Sequence, residues 1–188
     1  MRKVLSILVL IVCWNHSAGQ TSKDFETHFE KSNGLETATY QQTIKFYYNL
    51  AEVYPEISIK AIGETDSGEP LHLVTLNLDA VFDFSKIKKH NKRILLINNG
   101  IHPGESDGID ATMMLIRDIV QGKIEAPKKT VLATIPIYNI GGSLNRNSTT
   151  RTNQNGPKEY GFRGNARNYD LNRDFIKCDT KNARTFAR

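Results

Sequence analysis

Two apolar runs on either side of an amphipathic segment constrain the fold of this chain most. The run KRILLINNG, residues 92–100, is short and continuous, as expected for a strand buried on both faces of a sheet. Residues 106–120 carry apolar side chains at helical intervals, and TVLATIPIYN, residues 130–139, predicts a second buried strand. Strand, helix and strand within about 45 residues form a βαβ crossover, which predicts an α/β sheet with parallel neighbours.

The region upstream of this crossover predicts one helix and two strands. TYQQTIKFYYNLAEVYPE, residues 39–56, has helical apolar spacing that stops before Pro55. ISIKAIGETDSGEPLHLVTLNL, residues 57–78, alternates around the turn signal Asp66-Ser67-Gly68 and predicts two strands joined by a hairpin or short loop. With 188 residues, 39% hydrophobic and 24% charged, a single globular domain is the default expectation.

The N-terminus MRKVLSILVLIVCWNHSAGQ has the features of an export signal. Two basic residues precede an apolar run at residues 4–14, and small residues follow at 17–19. We predict a signal peptide at residues 1–19 and a secreted or periplasmic mature chain of residues 20–188. An uncleaved anchor and a lipid anchor at Cys13 are the alternatives. The apolar run is shorter than the roughly 20 residues that span a bilayer, so stable membrane insertion is not expected.

Cysteine and charge content exclude two further classes. Without the leader, Cys178 is the only cysteine, so an intrachain disulfide framework is impossible. The formal charge of +5 includes two leader residues, which leaves +5 − 2 = +3 on the mature chain, and its basic residues are dispersed. That distribution does not favour nucleic-acid binding. The sequence does not indicate an oligomeric state.

A candidate metal pair, His102 and Glu105, follows the first strand of the crossover. Ligands bind at the carboxyl ends of strands in open α/β sheets. Residues three apart in a first helical turn project from the same side, so both side chains can reach one cation at about 2 Å. Gly100 and Gly104 let the backbone turn sharply between strand and helix. The alternative is a helix-capping glutamate beside a hydrogen-bonded histidine.

A second informative stretch, NQNGPKEYGFRGNARNYDLNRDF at residues 153–175, holds three arginines and five asparagines. Arg163 and Arg173 offer planar, forked donors for a carboxylate or a polarised carbonyl, and Asn172 adds an amide donor. Asp170 is suited to fix a ligand histidine through its second ring nitrogen. The alternative is a charged surface loop.

These pieces, in this order, resemble the zinc metallocarboxypeptidases, the carboxypeptidase A/B-like family M14. The resemblance covers the leading helix, the strand pair, NNGIHPGE, LATIPIYNIGG and GFRGNARNYDLNRDF, which is most of the mature chain. It implies a three-layer α/β/α sandwich on a mixed, largely parallel sheet, with Zn²⁺ as cofactor. The implied substrate is a peptide, or another molecule with a free carboxylate, whose C-terminal residue is hydrolysed by a metal-activated water.

The resemblance also implies roles for six residues. His102 and Glu105 correspond to two zinc ligands, with Asp170 as the hydrogen-bond partner of His102. Arg163 corresponds to the residue that polarises the scissile carbonyl. Asn172 and Arg173 correspond to the clamp for the terminal carboxylate of the substrate.

The sequence departs from the family in one respect. No histidine follows His102, and only Glu125 and Glu159 follow Glu105, so the third zinc ligand and the general base are missing. We therefore expect the N-terminal part of a catalytic domain, truncated at its C-terminus, with weak zinc binding and exposed apolar sheet edges.

Two alternative functions remain open at this stage. N-acyl amino-acid deacylases of the aspartoacylase and succinylglutamate desuccinylase group share a His-x-x-Glu pair and an Asn-Arg clamp. A non-catalytic module could instead bind C-terminal carboxylates through Arg173 without hydrolysing them.

Overall fold

The computed structural model describes residues 25–188, so the predicted signal peptide and Cys13 lie outside the described residues. The helices are α1 (His28–Lys31), α2 (Tyr40–Val53), α3 (Phe84–Lys89), α4 (Asp107–Val120), α5 (Ile140–Leu144) and α6 (Lys181–Phe186), with a 3-10 turn at Leu171–Arg173. The strands are β1 (Ile57–Glu64), β2 (Pro70–Leu76), β3 (Arg93–Asn98), β4 (Thr130–Ile135), β5 (Arg146–Asn147) and β6 (Tyr160–Gly161). None of the helices in this part of the chain is long and apolar enough to cross a bilayer.

The main sheet has four strands in the order β1-β2-β4-β3. Strands β1 and β2 form the predicted antiparallel pair, and β2 also runs antiparallel to β4. Strands β3 and β4 are parallel, as the βαβ crossover predicted, with Arg93 opposite Thr130 and Asn98 opposite Ile135. The α/β class and the mixed sheet are thus confirmed. Within residues 25–188, one of the three strand pairings of the main sheet is parallel.

Helices lie on both faces of the sheet. Successive side chains of a strand point to opposite faces, so neighbouring residues of β2 report on the two layers. On one face, His72 lies against the rings of Tyr40 and Tyr48 of α2. On the other face, Leu73 lines a groove of about 240 Å³ together with Phe186 of α6. The predicted three-layer arrangement follows from these contacts.

The main core lies between the sheet and the α2–α4 layer. Helix α2 begins at a capping box, in which Thr39 accepts from the Gln42 backbone and the Gln42 side chain accepts from the Thr39 backbone. It buries Tyr47 and Leu50 and packs against α4. Of the helical stripe predicted for α4, Ile109, Met113 and Ile116 are buried there and Val120 is partly buried.

The burial predicted for β3 is wrong. Its apolar run does form a strand, but Ile94, Leu95 and Leu96 are 46%, 53% and 45% exposed. The reason is its position, because β3 is an edge strand that pairs with β4 on one side only within residues 25–188. The exposed apolar edge that we expected from the incomplete family pattern is therefore present.

Candidate metal and carboxylate site

The His102–Glu105 pair lies in a turn at the carboxyl end of β3. The Glu105 backbone N–H donates to the His102 carbonyl oxygen at 2.8 Å, and α4 begins only at Asp107. The two residues thus precede the helix, whereas the sequence had suggested its first turn. Gly100 adopts φ +63°, which favours glycine, at the point where the chain leaves the strand. The turn places both side chains on the same side, as the i,i+3 spacing predicted.

The two nitrogens of the His102 ring have different surroundings. Nε2 lies 2.9 Å from Asp170 Oδ1, and the residue is only 5% exposed. Because an ionised carboxylate only accepts, Nε2 donates the hydrogen in this bond, and in the neutral ring Nδ1 is then the nitrogen with the free lone pair. Nδ1 lies 3.6 Å from Glu105 Oε2. Two ligands of a tetrahedral zinc ion are about 3.4 Å apart, so this pair has the spacing of two metal ligands.

Asp170 receives hydrogen bonds from three directions. His102 and the Asn172 backbone N–H reach Oδ1, while Arg163 donates to Oδ2 through Nε at 3.2 Å and a terminal nitrogen at 2.9 Å. Burial raises the pKa of Asp170, but the hydrogen bonds from His102 and Arg163 outweigh it and lower the pKa to about 2. Asp170 is therefore ionised near neutral pH and holds the imidazole in one orientation.

Arg163 lies at the site, paired with Asp170. Its side chain is 49% exposed, and its second terminal nitrogen is 3.9 Å from Glu105 Oε1. The backbone of Arg163 is fixed as well, because the buried Asn139 side chain donates to its carbonyl at 2.9 Å. The guanidinium is thus held between the two carboxylates of the site.

Arg151 belongs to the site and was missed by the sequence reasoning. It donates to Glu105 Oε1 at 2.8 Å, and this bond lowers the pKa of Glu105 against the opposing effect of burial. The Arg151 side chain passes so close to Gly104 that a Cβ added at Gly104 would lie 2.4 Å from Arg151 Nε. Nothing in the sequence distinguishes Arg151 from other arginines of its region, because it lies 46 residues from Glu105 along the chain.

Asn172 and Arg173 lie on the 3-10 turn directly after Asp170. Leu171 is fully buried and anchors the turn, while the side chains of Asn172 and Arg173 are exposed. The Arg173 guanidinium donates to the Asn172 carbonyl at 3.1 Å. Within residues 25–188 it forms no ion pair, so its remaining donors are available to a ligand.

The turn between Arg163 and Asp170 is organised by Asn165. Its Oδ1 accepts from the backbone N–H groups of Arg167 and Tyr169 at 2.9 Å each. Its Nδ2 donates to Asp66 Oδ2 at 3.0 Å, which ties the site loop to the β1–β2 turn. Asn165 and Asp66 therefore help to bring Arg163 opposite Asp170. The sequence had identified Asp66 only as a turn residue.

The ligand set for a metal is incomplete within the described residues. No group of three or more His, Cys, Asp or Glu side chains that could hold a metal is present among residues 25–188. The spacing of His102 and Glu105 fits two positions of a zinc ion, and the described part of the chain places no third ligand beside them.

The mixed α/β sheet thus carries a histidine–glutamate pair at the end of a strand, with an aspartate hydrogen-bonded to the histidine. A family model described as zinc carboxypeptidase matches residues 43–186. Since this match covers most of the chain, the protein belongs to the zinc carboxypeptidase family, M14. No curated protein matches the chain significantly.

Solved structures show the same fold. A candidate carboxypeptidase A from Shewanella denitrificans matches with a TM-score of 0.58 and 19% identity over 78% of this chain and 35% of that one. A metallo-carboxypeptidase from Burkholderia cenocepacia gives 0.57 and 17%, over 80% and 37%. A metallo-carboxypeptidase from Pseudomonas aeruginosa, in complex with (2-guanidinoethylmercapto)succinic acid, gives 0.55 and 17%, over 80% and 35%. The chain spans little more than a third of the length of these structures.

Proposed function

We propose that this chain provides part of the active centre of a zinc-dependent carboxypeptidase, a hydrolase that removes C-terminal residues from peptides. The observation that carries the proposal is the environment of His102. Asp170 occupies Nε2 at 2.9 Å, and Nδ1 is directed to within 3.6 Å of Glu105 Oε2. A metal-ligating histidine commonly donates from one ring nitrogen to a carboxylate, while its other nitrogen faces the metal and the neighbouring ligand. The two nitrogens of His102 have these surroundings.

The residues of this chain would prepare the site for a metal. Zinc with three protein ligands keeps one position for water, lowers the pKa of that water towards about 7 and polarises a carbonyl. Asp170 holds the imidazole in the tautomer that leaves Nδ1 unprotonated. Arg151 keeps Glu105 ionised. The proposed centre also needs a third ligand and a general base, which residues 25–188 do not provide.

The substrate carboxylate would bind at the exposed turn after Asp170. The Arg173 guanidinium can pair bidentately with a carboxylate, and Asn172 can add a hydrogen bond. Arg163, held by Asp170, would donate to the oxyanion that develops at the scissile carbonyl, a preorganised effect of about 3 kcal/mol. A carboxylate-bearing ligand in the P. aeruginosa metallo-carboxypeptidase is consistent with this class of substrate.

The test compares a peptide that has a free C-terminus with its C-terminal amide. It uses zinc and a protein that combines this chain with a third ligand and a general base. We expect amidation to slow cleavage at least 100-fold, since it leaves the Arg173 guanidinium unpaired. Arg173→Ala should remove most of this discrimination.

The other outcomes identify other functions. Equal cleavage of both peptides would contradict the exopeptidase proposal and favour an endopeptidase or amidase on the same scaffold. Cleavage of N-acyl amino acids in preference to peptides would favour the deacylase. Carboxylate binding without any turnover would favour a non-catalytic module.

A further inference from the structure

A cleft of about 800 Å³ lies beside the start of α4, where its lining begins at Ser106, the residue after Glu105. One wall is the segment between α1 and α2, with the apolar residues Phe29 and Leu35. The other walls are the start of α4, at Ser106 and Asp107, and the loop that contains Asn155 and Pro157. We call this space the α4 cleft.

Two walls of the α4 cleft are attached directly to the metal-binding turn. Ser106 is the residue that follows Glu105. On the loop side, Gln154, which precedes Asn155, donates to the Gly104 carbonyl at 3.0 Å and accepts from Arg151 at 3.3 Å. Arg151 in turn holds Glu105 at 2.8 Å. The cleft thus keeps a fixed position relative to Glu105.

The α4 cleft has an apolar part, although Glu36, Thr37 and Lys158 also line it. Leu35 is 70% exposed, an unusually open position for a leucine that lines a concave surface. Phe29 and Pro157 add further apolar surface. The volume falls within the range of about 300–1,000 Å³ that is typical of ligand sites. Gly156 leaves additional room, because a Cβ there would meet nothing within 4 Å.

The position of the cleft indicates which part of a substrate could enter it. Asp170, with the clamp residues Asn172 and Arg173 beside it, contacts Nε2 of His102, whereas Glu105 faces Nδ1. The Nδ1 side of His102, which would face a metal, is therefore beside Glu105, and Arg151 links Glu105 to the loop of the cleft through Gln154. A peptide whose carboxylate binds Arg173 would direct its preceding residues towards the Glu105 side.

We propose that the α4 cleft is a binding subsite for an apolar side chain of a peptide substrate, located on the amino-terminal side of the scissile bond. This inference rests on the proposed carboxypeptidase function and adds a preference for apolar residues upstream of the cleaved one. Leu35 is the principal contact, and the loop at Asn155–Pro157 forms the opposite wall.

The test measures equilibrium binding of fluorescein-labelled peptides to the 188-residue chain by fluorescence anisotropy. The peptides carry leucine or glycine at the third position from a free C-terminus, and each is also made as the amide. We expect the leucine peptide to bind the unmodified chain about tenfold more tightly than the glycine peptide. Leu35→Asn removes the apolar wall, and Asn155→Trp fills the cleft. Each substitution should abolish the difference in affinity between the leucine and glycine peptides.

Leu78→Asn is the matched control. Leu78 is 44% exposed and follows β2 at the opposite end of the sheet. Its substitution should therefore leave the difference in affinity between the leucine and glycine peptides unchanged. Equal affinities of the leucine and glycine peptides for the unmodified chain, or no measurable binding of either, would overturn the assignment. The amides separate the two proposals. If amidation leaves the leucine preference unweakened, the result supports the cleft and contradicts the carboxylate clamp. If the free carboxylate is preferred but leucine is not, the result supports the carboxylate clamp and contradicts the cleft.

Discussion

The two strands of the βαβ crossover have similar apolar sequences and opposite surroundings. In β4, Val131 and Leu132 are 0% and 6% exposed, whereas Leu95 and Leu96 of β3 are 53% and 45% exposed. Leu95 and Leu132 are even direct register partners in the parallel pair. The difference shows that an apolar run specifies a strand, while burial depends on the neighbours that the strand acquires. It also divides the molecule into a sealed side, at β4 and the α2–α4 layer, and an open side at β3.

The largest expected effect comes from truncating the same residue type in the two strands. Leu132→Ala should lower the free energy of unfolding by about 2–5 kcal/mol, because it leaves a cavity in the core. Leu95→Ala should lower the free energy of unfolding by less than about 1 kcal/mol, because the Leu95 side chain is already half exposed. Urea unfolding followed by circular dichroism would measure both. Similar losses for the two variants would show that β3 is covered in solution.

The turn that follows the open strand should bind zinc weakly, through two ligands. His102→Ala should abolish this binding, and Asp170→Asn should weaken it roughly 10–100-fold, because the imidazole loses its orienting acceptor. Competition with a chromophoric chelator would give the affinities. Asp79→Asn is a suitable control, since Asp79 pairs with Lys92 away from the site. Zinc binding that His102→Ala leaves unchanged would contradict the assignment of His102.

The sealed side should lose stability in acid. Arg117 of α4 is 5% exposed and pairs with Glu30 of α1. Burial raises the pKa of Glu30, but hydrogen bonds from Arg117 and Thr27 outweigh it and lower the pKa to about 2. Because the folded pKa lies below the ordinary value of 4.5, the pair stabilises the fold above that pH. This contribution, about 1–2 kcal/mol, should be lost as the pH falls from 4.5 towards about 2.

Glu30→Gln provides the comparison for this pH dependence. The variant should be less stable than the unmodified chain at pH 7, and the two should converge near pH 2. Thermal unfolding at a series of pH values would measure the difference. A constant difference across the whole range would show that the charge of Glu30 is not the cause.

The smallest effect on stability is expected from adding charge to the open strand. Leu95→Lys should change the free energy of unfolding by less than about 0.5 kcal/mol, yet it should reduce association of the chain, because charged side chains protect sheet edges. Light scattering as a function of protein concentration would measure association. If Leu95→Lys unfolds the chain, the side chain is buried and the open side does not exist in solution.

The candidate site illustrates the same division between local and long-range information. His102 and Glu105 are three residues apart, so a single turn hydrogen bond brings them to one side, and the pair could be found by spacing alone. Asp170 lies 68 residues from His102; its residue type suggested a partner for a ligand histidine, and the resemblance to a family motif assigned it to His102. Arg151 carried no such motif and was missed. Its role depends on the close approach to Gly104, which exists only in the folded chain.

The sequence by itself determined the elements whose cause is local. Helical spacing that stops before Pro55 defined α2, alternation around Asp66-Ser67-Gly68 defined β1 and β2, and the βαβ pattern fixed the parallel pairing of β3 with β4. Only the tertiary structure decided which of two similar strands is buried and which carboxylate each arginine of the site holds. The physical reason is that burial and ion pairing depend on the identity of distant neighbours. Periodicity and turn chemistry, by contrast, act within a few residues along the chain.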